Sequence, residues 1–275
     1  MNDAAVASGF SADPTGPAAV EGIDGPALEA ALAVAERACD RARREILARF
    51  RRVAVETKAD GSPVTEADRA AERAIRDEIE AAFPDDAILG EEFGATARAS
   101  RRRWVIDPID GTIAFVRGIP LFTTLVSLVV DDVPVLGVID LPAVGDRITG
   151  FRGGGVHRDG QPLSVSPRGR PEDTIVCHGD LFCFDRAGLR PVFERMAARL
   201  PILRGYTDAF GHGLVLSGAV EAMIDCDLNP WDAAATRVLC AEAGGLCWVR
   251  EREAGRKLDL VFGRPDVVER IGTFF

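Results

Sequence analysis

The sequence has few of the residues that soft-metal and redox sites require. Its three histidines, at positions 157, 178 and 212, are too far apart to form a pair at metal-ligand spacing. Its six cysteines include no Cys-x-x-Cys motif, and several lie within apolar patterns, where a free cysteine behaves as a small hydrophobic residue. We therefore interpret the histidines as structural or surface residues, and the cysteines as typical of a reduced, cytoplasmic protein.

Basic charge and long apolar runs are also scarce. Acidic residues outnumber basic ones by 43 to 33, which gives a net charge of −10 and disfavours nucleic acid as a partner. No run approaches the roughly 18 apolar residues that a membrane span needs. The N-terminus has no basic segment followed by an apolar stretch, so we expect no signal peptide and no membrane partner.

The residues that are present predict a folded chain in two halves. Residues 1–25 are rich in Ala, Gly, Pro and Asp without a period, which predicts a disordered leader. We expect an N-terminal α+β half over residues 26–165 and a C-terminal half of alternating strands and helices over residues 166–275. The predicted helices are 27–50, 65–83, 190–200, 208–217 and 231–243, and the predicted strands are 87–89, 104–106, 121–130, 133–141, 175–177, 222–225 and 246–249.

The stretch from Trp104 to Thr112, Trp-Val-Ile-Asp-Pro-Ile-Asp-Gly-Thr, carries the strongest functional signal. Asp107 should end a buried strand, because the proline after it favours extended geometry. Asp107, Asp110 and the backbone carbonyl of Ile109 would then gather at one strand end, and oxygen ligands of this kind suit Mg²⁺. By themselves, these residues fit an Asp-rich turn equally well.

Three other acidic segments are informative only in combination. Glu91-Glu92 follows an apolar run, Asp68 stands three residues after Thr65, and Asp232 belongs to Asn229-Pro230-Trp231-Asp232. Thr65-x-x-Asp68 fits a capping box, and Asn229 fits an N-cap followed by proline. Taken singly, the last two segments predict only helix starts.

Taken together and in this order, the motifs resemble the inositol monophosphatase superfamily of Mg²⁺-dependent phosphatases. Its signature stands here as Gly90-Glu91-Glu92, Asp107 to Thr112, and Trp231-Asp232, with Lys58 and the Val64–Asp68 segment upstream. The resemblance runs from about Leu28 to the C-terminus. It implies a layered αβαβα sandwich of α/β type with the site between its halves, and a homodimer.

The resemblance also implies the site. Glu91, Asp107 and the Ile109 carbonyl would hold one Mg²⁺, while Asp107, Asp110 and Asp232 would hold another, with two or three ions per site. The ions would neutralise the phosphate of a small-molecule monoester, acidify a bound water and stabilise the leaving oxygen.

The same resemblance assigns the catalytic residues. Thr112 and Glu91 would orient and deprotonate the attacking water, and Asp68 would support the water network. Gly111 and Thr112 would contact the substrate, because Thr112 is expected at a helix start, where free N–H groups favour a phosphate oxygen.

Two segments look like the histidinol-phosphatase branch, which acts in histidine biosynthesis. They are Pro134–Pro142 and Arg204–Phe210, the second of which contains Asp208. Asp225, seven residues before Asp232, matches the family's acidic substrate contact. Asp208 and Asp225 would suit an ammonium group such as that of histidinol.

Other interpretations stay open at this point. Ile113 stands where the histidinol branch usually has lysine, so an inositol 1-phosphate or another cyclitol or sugar phosphate is the alternative substrate. A non-catalytic metal- or phosphate-binding protein is a remote alternative, because Glu91, Thr112 and Asp232 are all present. His212 could also border the substrate pocket.

Overall fold

The structure, a computed structural model, describes residues 3–13, 23–52, 54–58, 61, 63–165 and 171–275. The helices are α1 Asp3–Ala7, α2 Gly25–Arg49, α3 Glu66–Ala82, α4 Thr112–Val116, α5 Leu181–Arg186, α6 Arg190–Arg199, α7 Asp208–Leu216, α8 Pro230–Glu242 and α9 Pro265–Gly272. The strands are β1 Ser11–Ala12, β2 Val55–Thr57, β3 Pro63–Thr65, β4 Ala87–Gly90, β5 Gly94–Ala95, β6 Arg102–Asp110, β7 Thr123–Val130, β8 Val133–Leu141, β9 Asp146–Phe151, β10 Gly155–Arg158, β11 Gln161–Leu163, β12 Ile175–His178, β13 Ile202–Arg204, β14 Ala222–Leu228, β15 Leu246–Arg252 and β16 Lys257–Gly263.

Two mixed sheets organise the chain. The large sheet has the order β11-β10-β9-β8-β7-β6-β4-β5, in which β4 and β6 run parallel and the other neighbours run antiparallel. The small sheet has the order β1-β15-β16-β14-β12-β13, with β12 parallel to both β13 and β14. The strands β2 and β3 form a separate antiparallel pair.

The sheets and helices stack in five layers. Helices α2 and α3 cover one face of the large sheet, where Ile46 and Trp104 are fully buried. Helices α7 and α8 lie between the sheets, with Val238 and Phe262 in that core. Helices α5, α6 and α9 cover the far face of the small sheet around Trp248. This arrangement confirms the expected αβαβα sandwich. Among the described helices, none has the length and apolar character to cross a membrane.

The predicted capping box of Thr65 and Asp68 forms, and the predicted N-cap Asn229 forms a second one with Asp232. The Thr65 N–H donates to Asp68 Oδ2 at 2.8 Å before α3, and the Asn229 N–H donates to Asp232 Oδ2 at 2.7 Å before α8. The third residue of each helix therefore satisfies an N–H group of the cap. These bonds also fix the position of the two carboxylates.

The strand that was expected to end at Asp107 continues to Asp110, and a β-bulge interrupts its pairing between these two residues. Asp107 pairs with Leu125 and Asp110 with Thr123, so three steps along β6 oppose two along β7. Pro108 lies inside the bulge, where its missing N–H costs no regular ladder bond. The extra residue lets Asp107 and Asp110, which alternation would place on opposite faces, approach each other.

The predicted disorder of the leader is wrong for residues 3–13. Strand β1 pairs antiparallel with β15, and the buried Phe10 ring lies 4.9 Å from that of Phe275. Asp13 Oδ2 lies 2.7 Å from Nε of Arg237 on α8. A two-residue strand has no readable period, so only its partner strand reveals it. Residues 1–2 and 14–22 of this predicted leader lie outside the described residues.

Candidate active site

A cavity of about 450 Å³ brings most of the predicted site residues together. It lies where the bulge of β6, helix α4, and the starts of α7 and α8 meet the end of β14. Seven of the eight acidic residues that line it form two groups: Glu91, Asp107, Asp110 and Asp232 form one, and Asp180, Asp208 and Asp225 form the other. We call the first group the metal wall and the second the substrate wall.

The centre of the metal wall is a cluster of three aspartates. Asp107, Asp110 and Asp232 each offer an oxygen within 4.8 Å of the others. Burial raises the pKa of Asp107 and Asp110 well above the usual range, and the neighbouring carboxylates add to the rise. Burial likewise raises the pKa of Asp232 to about 7. In the described part of the chain, the buried Asp107 Oδ1 has no hydrogen-bond partner. An all-oxygen donor set with an unpartnered oxygen fits a hard divalent cation.

Backbone N–H groups and one hydroxyl hold the other two aspartates in place. Asp110 Oδ2 accepts the Ala209 N–H at 2.6 Å, at the start of α7, and the Thr123 hydroxyl at 3.0 Å. Asp232 Oδ2 accepts the capping bond from Asn229. One oxygen of each carboxylate therefore serves for positioning, and a second oxygen remains for a ligand.

Glu91 joins the cluster from the strand next to β6. It follows β4, which runs parallel to β6, so the two strands end at the same edge, and the charge of Glu91 adds to the rise in the pKa of Asp107 that burial causes. Lys58 Nζ lies 2.7 Å from Glu91 Oε1 and 2.6 Å from Glu92 Oε1. Burial alone would lower the pKa of Lys58, but the two glutamates outweigh it and raise that pKa.

Thr112 and Asp68 meet beside the cluster. Gly111 adopts φ +83°, which favours glycine, and α4 begins at Thr112 as predicted. Thr112 Oγ1 lies 3.0 Å from the Ile109 carbonyl oxygen and 3.5 Å from Asp68 Oδ1. Burial raises the pKa of Asp68. The hydroxyl therefore has acceptors for its hydrogen and keeps lone pairs for another donor.

The substrate wall faces the same cavity. Asp208 adopts φ +59°, and a Cβ at Gly111 would lie 3.1 Å from Asp208 Oδ2. Burial raises the pKa of Asp208 to about 6, and the charge of Asp225 adds to the rise. Asp180, which no sequence motif singles out, also has a pKa raised by burial and then by the charge of Asp225. This wall concentrates negative charge in a space that a cation can enter.

His212 is the second residue that the sequence interpretation undervalued. It lines the cavity, as its alternative interpretation holds, and is 1% exposed. Its Nε2 lies 3.0 Å from Asp225 Oδ2, and its Nδ1 lies 2.7 Å from Thr236 Oγ1. The spacing of four between Asp208 and His212 places both on one face of a helix, and this signal was available in the sequence.

Comparison with known proteins shows the family of this chain. The sequence model of the inositol monophosphatase family matches residues 27–265. A histidinol-phosphatase from Chlorobaculum parvum is 40% identical over 224 residues, covering 81% of this chain and 85% of that protein. A fructose-1,6-bisphosphatase/inositol-1-monophosphatase from Thermotoga maritima is 35% identical over 66% of this chain and 70% of its own length.

A solved structure agrees with the sequence comparison. The crystal structure of the extragenic suppressor protein suhB from Bartonella henselae has a TM-score of 0.80 and 26% identity, covering 89% of this chain and 98% of its own. The family match spans both walls of the cavity, from Glu91 to Asp232. The chain belongs to the inositol monophosphatase family and is a phosphatase of that family.

Proposed function

We propose that the protein is a Mg²⁺-dependent phosphatase that hydrolyses L-histidinol phosphate to L-histidinol and phosphate in histidine biosynthesis. The observation that carries this proposal is the pair of acidic walls on one cavity. Histidinol phosphate has an anionic end, which needs metal ions beside carboxylates, and an ammonium group, which carboxylates bind directly. The relative named histidinol-phosphatase supports the same choice.

The metal wall fits Mg²⁺ by its donors. Glu91, Asp107 and the Ile109 carbonyl would hold one ion, and Asp107, Asp110 and Asp232 another, so that Asp107 serves both. When bound, the ions supply charge neutralisation of the phosphate and a more acidic water. The unpartnered Asp107 Oδ1 supports this assignment, because a buried carboxylate oxygen without a donor is costly unless a cation is there.

The chain's own residues would prepare the attacking water. Thr112 can donate its hydrogen to Asp68 or to the Ile109 carbonyl and accept one from the water. Glu91 would take the proton, and Lys58 keeps the Glu91 carboxylate in place at 2.7 Å. The N–H groups of Gly111 and Thr112 would contact a phosphate oxygen at the start of α4.

The substrate wall would select the ammonium end. Asp225 brings a buried carboxylate to the cavity and Asp208 a half-buried one, and a charge-assisted hydrogen bond is strong when water is excluded. A neutral cyclitol offers hydroxyl groups there, which would leave this negative charge without a counter-ion.

A cyclitol or sugar phosphate is the second candidate because of Ile113. This side chain is 58% exposed beside the cavity, where the histidinol branch usually has lysine, so no cation stands at that position. The Thermotoga maritima relative, named fructose-1,6-bisphosphatase/inositol-1-monophosphatase, supports this alternative.

Phosphate release from L-histidinol phosphate and from inositol 1-phosphate, each with Mg²⁺ or EDTA, tests the proposal. Asp208→Asn and Asp225→Asn should each raise KM for L-histidinol phosphate about tenfold or more, and much less for the inositol ester. Asp185→Asn is the matched control, since this exposed aspartate pairs with Arg190 away from the cavity. Wild-type preference for the inositol ester, with an effect of Asp225 alone, would favour the second candidate. Equal losses on both esters would mean that the aspartates only shape the pocket.

We also propose a cytoplasmic location and a homodimer. All six cysteines are free, and five of them are buried, which suits a reducing compartment. The homodimer rests on the family resemblance alone. Light scattering during size-exclusion chromatography measures the assembly, and a monomeric mass would contradict this part of the proposal.

A further inference from the structure

His212 stands at the centre of a hydrogen-bonded chain of three side chains. It connects Thr236 on α8 with Asp225 on β14, at 2.7 Å and 3.0 Å. Thr236 follows Asp232 by four residues on the same helix, so it lies one turn beyond the metal wall. These hydrogen bonds therefore join α8, which carries Asp232 of the metal wall, to β14, which carries Asp225 of the substrate wall.

The chemistry of the three groups sets the direction of the hydrogen bonds. An ionised carboxylate only accepts, so the imidazole donates from Nε2 to Asp225 Oδ2. In the neutral imidazole Nδ1 then accepts, and the Thr236 hydroxyl supplies the hydrogen. The Asp225 carboxylate thus selects the tautomer whose donor faces it, and the Thr236 hydroxyl completes that arrangement at Nδ1.

The surroundings leave the Asp225 carboxylate one position. Its Oδ1 accepts the Cys226 N–H at 2.9 Å, and a Cβ at Gly179 would lie only 1.9 Å from the same oxygen. The His212 ring packs edge-to-face against Phe262, with centroids 4.9 Å apart. With Oδ1 held by the backbone, the imidazole is the group that holds Oδ2.

The acids nearby make this support necessary. Asp180 and Asp208 share the cavity with Asp225, and the charge of Asp225 raises the pKa of both, so the three carboxylates repel one another. A carboxylate without the imidazole could rotate about its last torsion, which has a broad energy minimum. It would then lose the orientation in which it meets a substrate.

We propose that His212 is a positioning residue for substrate recognition, which orients the Asp225 carboxylate through its Nε2–H. His212 lines the cavity but is 1% exposed, and its Nε2 lies against Asp225 Oδ2, so it acts through this carboxylate. The proposal rests on the proposed function in one respect, namely that Asp225 binds the polar end of the phosphate ester.

Two amide variants with the same chemistry and different reach test it. Glutamine places its amide nitrogen about where imidazole Nε2 lies, whereas asparagine reaches only as far as Nδ1. His212→Asn should raise KM for L-histidinol phosphate about tenfold to a hundredfold, the value of a hydrogen bond to a charged group, with kcat changed less than about threefold. His212→Gln should restore KM to within about threefold of wild type.

Two further measurements separate positioning from folding. Away from its phosphate, p-nitrophenyl phosphate has no hydrogen-bond donor that Asp225 could bind, so both variants should hydrolyse it with wild-type KM. Thr236→Val removes only the hydrogen bond at Nδ1 and should raise KM for L-histidinol phosphate less than His212→Asn does. If His212→Asn does not fold, as judged by circular dichroism, Thr236→Val decides: a KM increase confined to L-histidinol phosphate supports the proposal, and an unchanged KM overturns it.

Failure of the proposed substrate is distinguishable from failure of the role of His212. If the wild type prefers inositol 1-phosphate, the substrate assignment is wrong, and the two variants are compared on that ester. A lower KM for His212→Gln than for His212→Asn would still support positioning. Equal KM values, or losses that are the same on p-nitrophenyl phosphate, would overturn it.

Discussion

The two faces of the large sheet surround buried aspartates in opposite ways. Asp140 of β8 faces α2, and its Oδ1 lies 2.5 Å from Arg43 Nη2 and 2.6 Å from Arg147 Nε. Asp107 of β6 is on the α8 side, and within the described residues it forms no salt bridge to a basic side chain. The two aspartates pair with Thr124 and Leu125, adjacent positions of β7, so alternation sends them to opposite faces.

The difference separates a structural charge from a functional one. Both aspartates are at most 2% exposed, so neither is stabilised much by water. Two arginines of the same chain neutralise the charge of Asp140, so after folding it needs no cation from solution. Asp107 shares its surroundings with Glu91, Asp110 and Asp232, which raise its pKa further after burial has done so. A buried carboxylate with only acids around it needs a cation from solution, which is the requirement of a metal site.

The largest effect is expected for Asp107→Asn. Loss of the shared ligand charge should remove several kcal/mol of transition-state stabilisation, so turnover should fall at least about a thousandfold. In EDTA the free energy of unfolding should stay equal or rise, because one repelling charge is gone. Phosphate release and urea denaturation measure the two effects. A folded variant with Mg²⁺-dependent activity near that of wild type would contradict the two-ion assignment.

Asp140→Asn should show the reverse pattern. Two arginines would lose their buried partner, and the free energy of unfolding should fall by about 3 kcal/mol. Turnover per folded molecule should not change, since Asp140 lies on the face away from the cavity. Urea denaturation checks the stability, and the exposed pair of Asp185 and Arg190 supplies the control, because Asp185→Asn should leave the midpoint in place. A loss of turnover as large as that of Asp107→Asn would contradict the structural role assigned to Asp140.

Added Mg²⁺ should stabilise the protein only by binding on the face of the large sheet that carries Asp107. At a concentration about one hundred times Kd, binding to the folded state adds about 2.7 kcal/mol to the free energy of unfolding. Wild type and Asp140→Asn should both gain it, and Asp107→Asn should gain much less. Thermal unfolding with Mg²⁺ or EDTA gives the answer, and an equal gain in all three proteins would place the ions elsewhere.

The smallest effect is expected for Thr112→Ala, which removes a hydroxyl beside the metal wall but no charge. Turnover should fall about tenfold to a hundredfold, because the water loses its alignment. The Mg²⁺ affinity should remain that of wild type, as measured by calorimetry. If the affinity fell as steeply as turnover, Thr112 would serve the metal and not the water.

The sequence by itself determined the features that depend on neighbouring residues. Helices α2 and α3 were predicted to within two residues, since their apolar period and caps are local properties. The capping box of Thr65 and Asp68 follows from their spacing of three, and the N-cap at Asn229 follows from the proline after it. The order of the acidic motifs indicated the family, which the comparisons confirm, and with it the five layers.

Only the tertiary structure decided the features that join distant parts of the chain. Strand β16 and helix α9 were not predicted, although β16 lies inside the small sheet between β14 and β15. The order of strands in a sheet depends on pairing across long separations, and a local period does not contain it. The bulge that brings Asp107 and Asp110 together is likewise a mismatch between two strands, visible only once they pair.

The surroundings of each acid were decided in the same way. Asp107, Asp140 and Asp225 are the same residue type in similar apolar runs of the sequence. Folding surrounds Asp107 with other acids, pairs Asp140 with two arginines and places Asp225 against the imidazole of His212. The sequence states which charges the chain carries, but burial and the contacts made across the layers determine whether each charge supports the fold, a metal ion or a substrate.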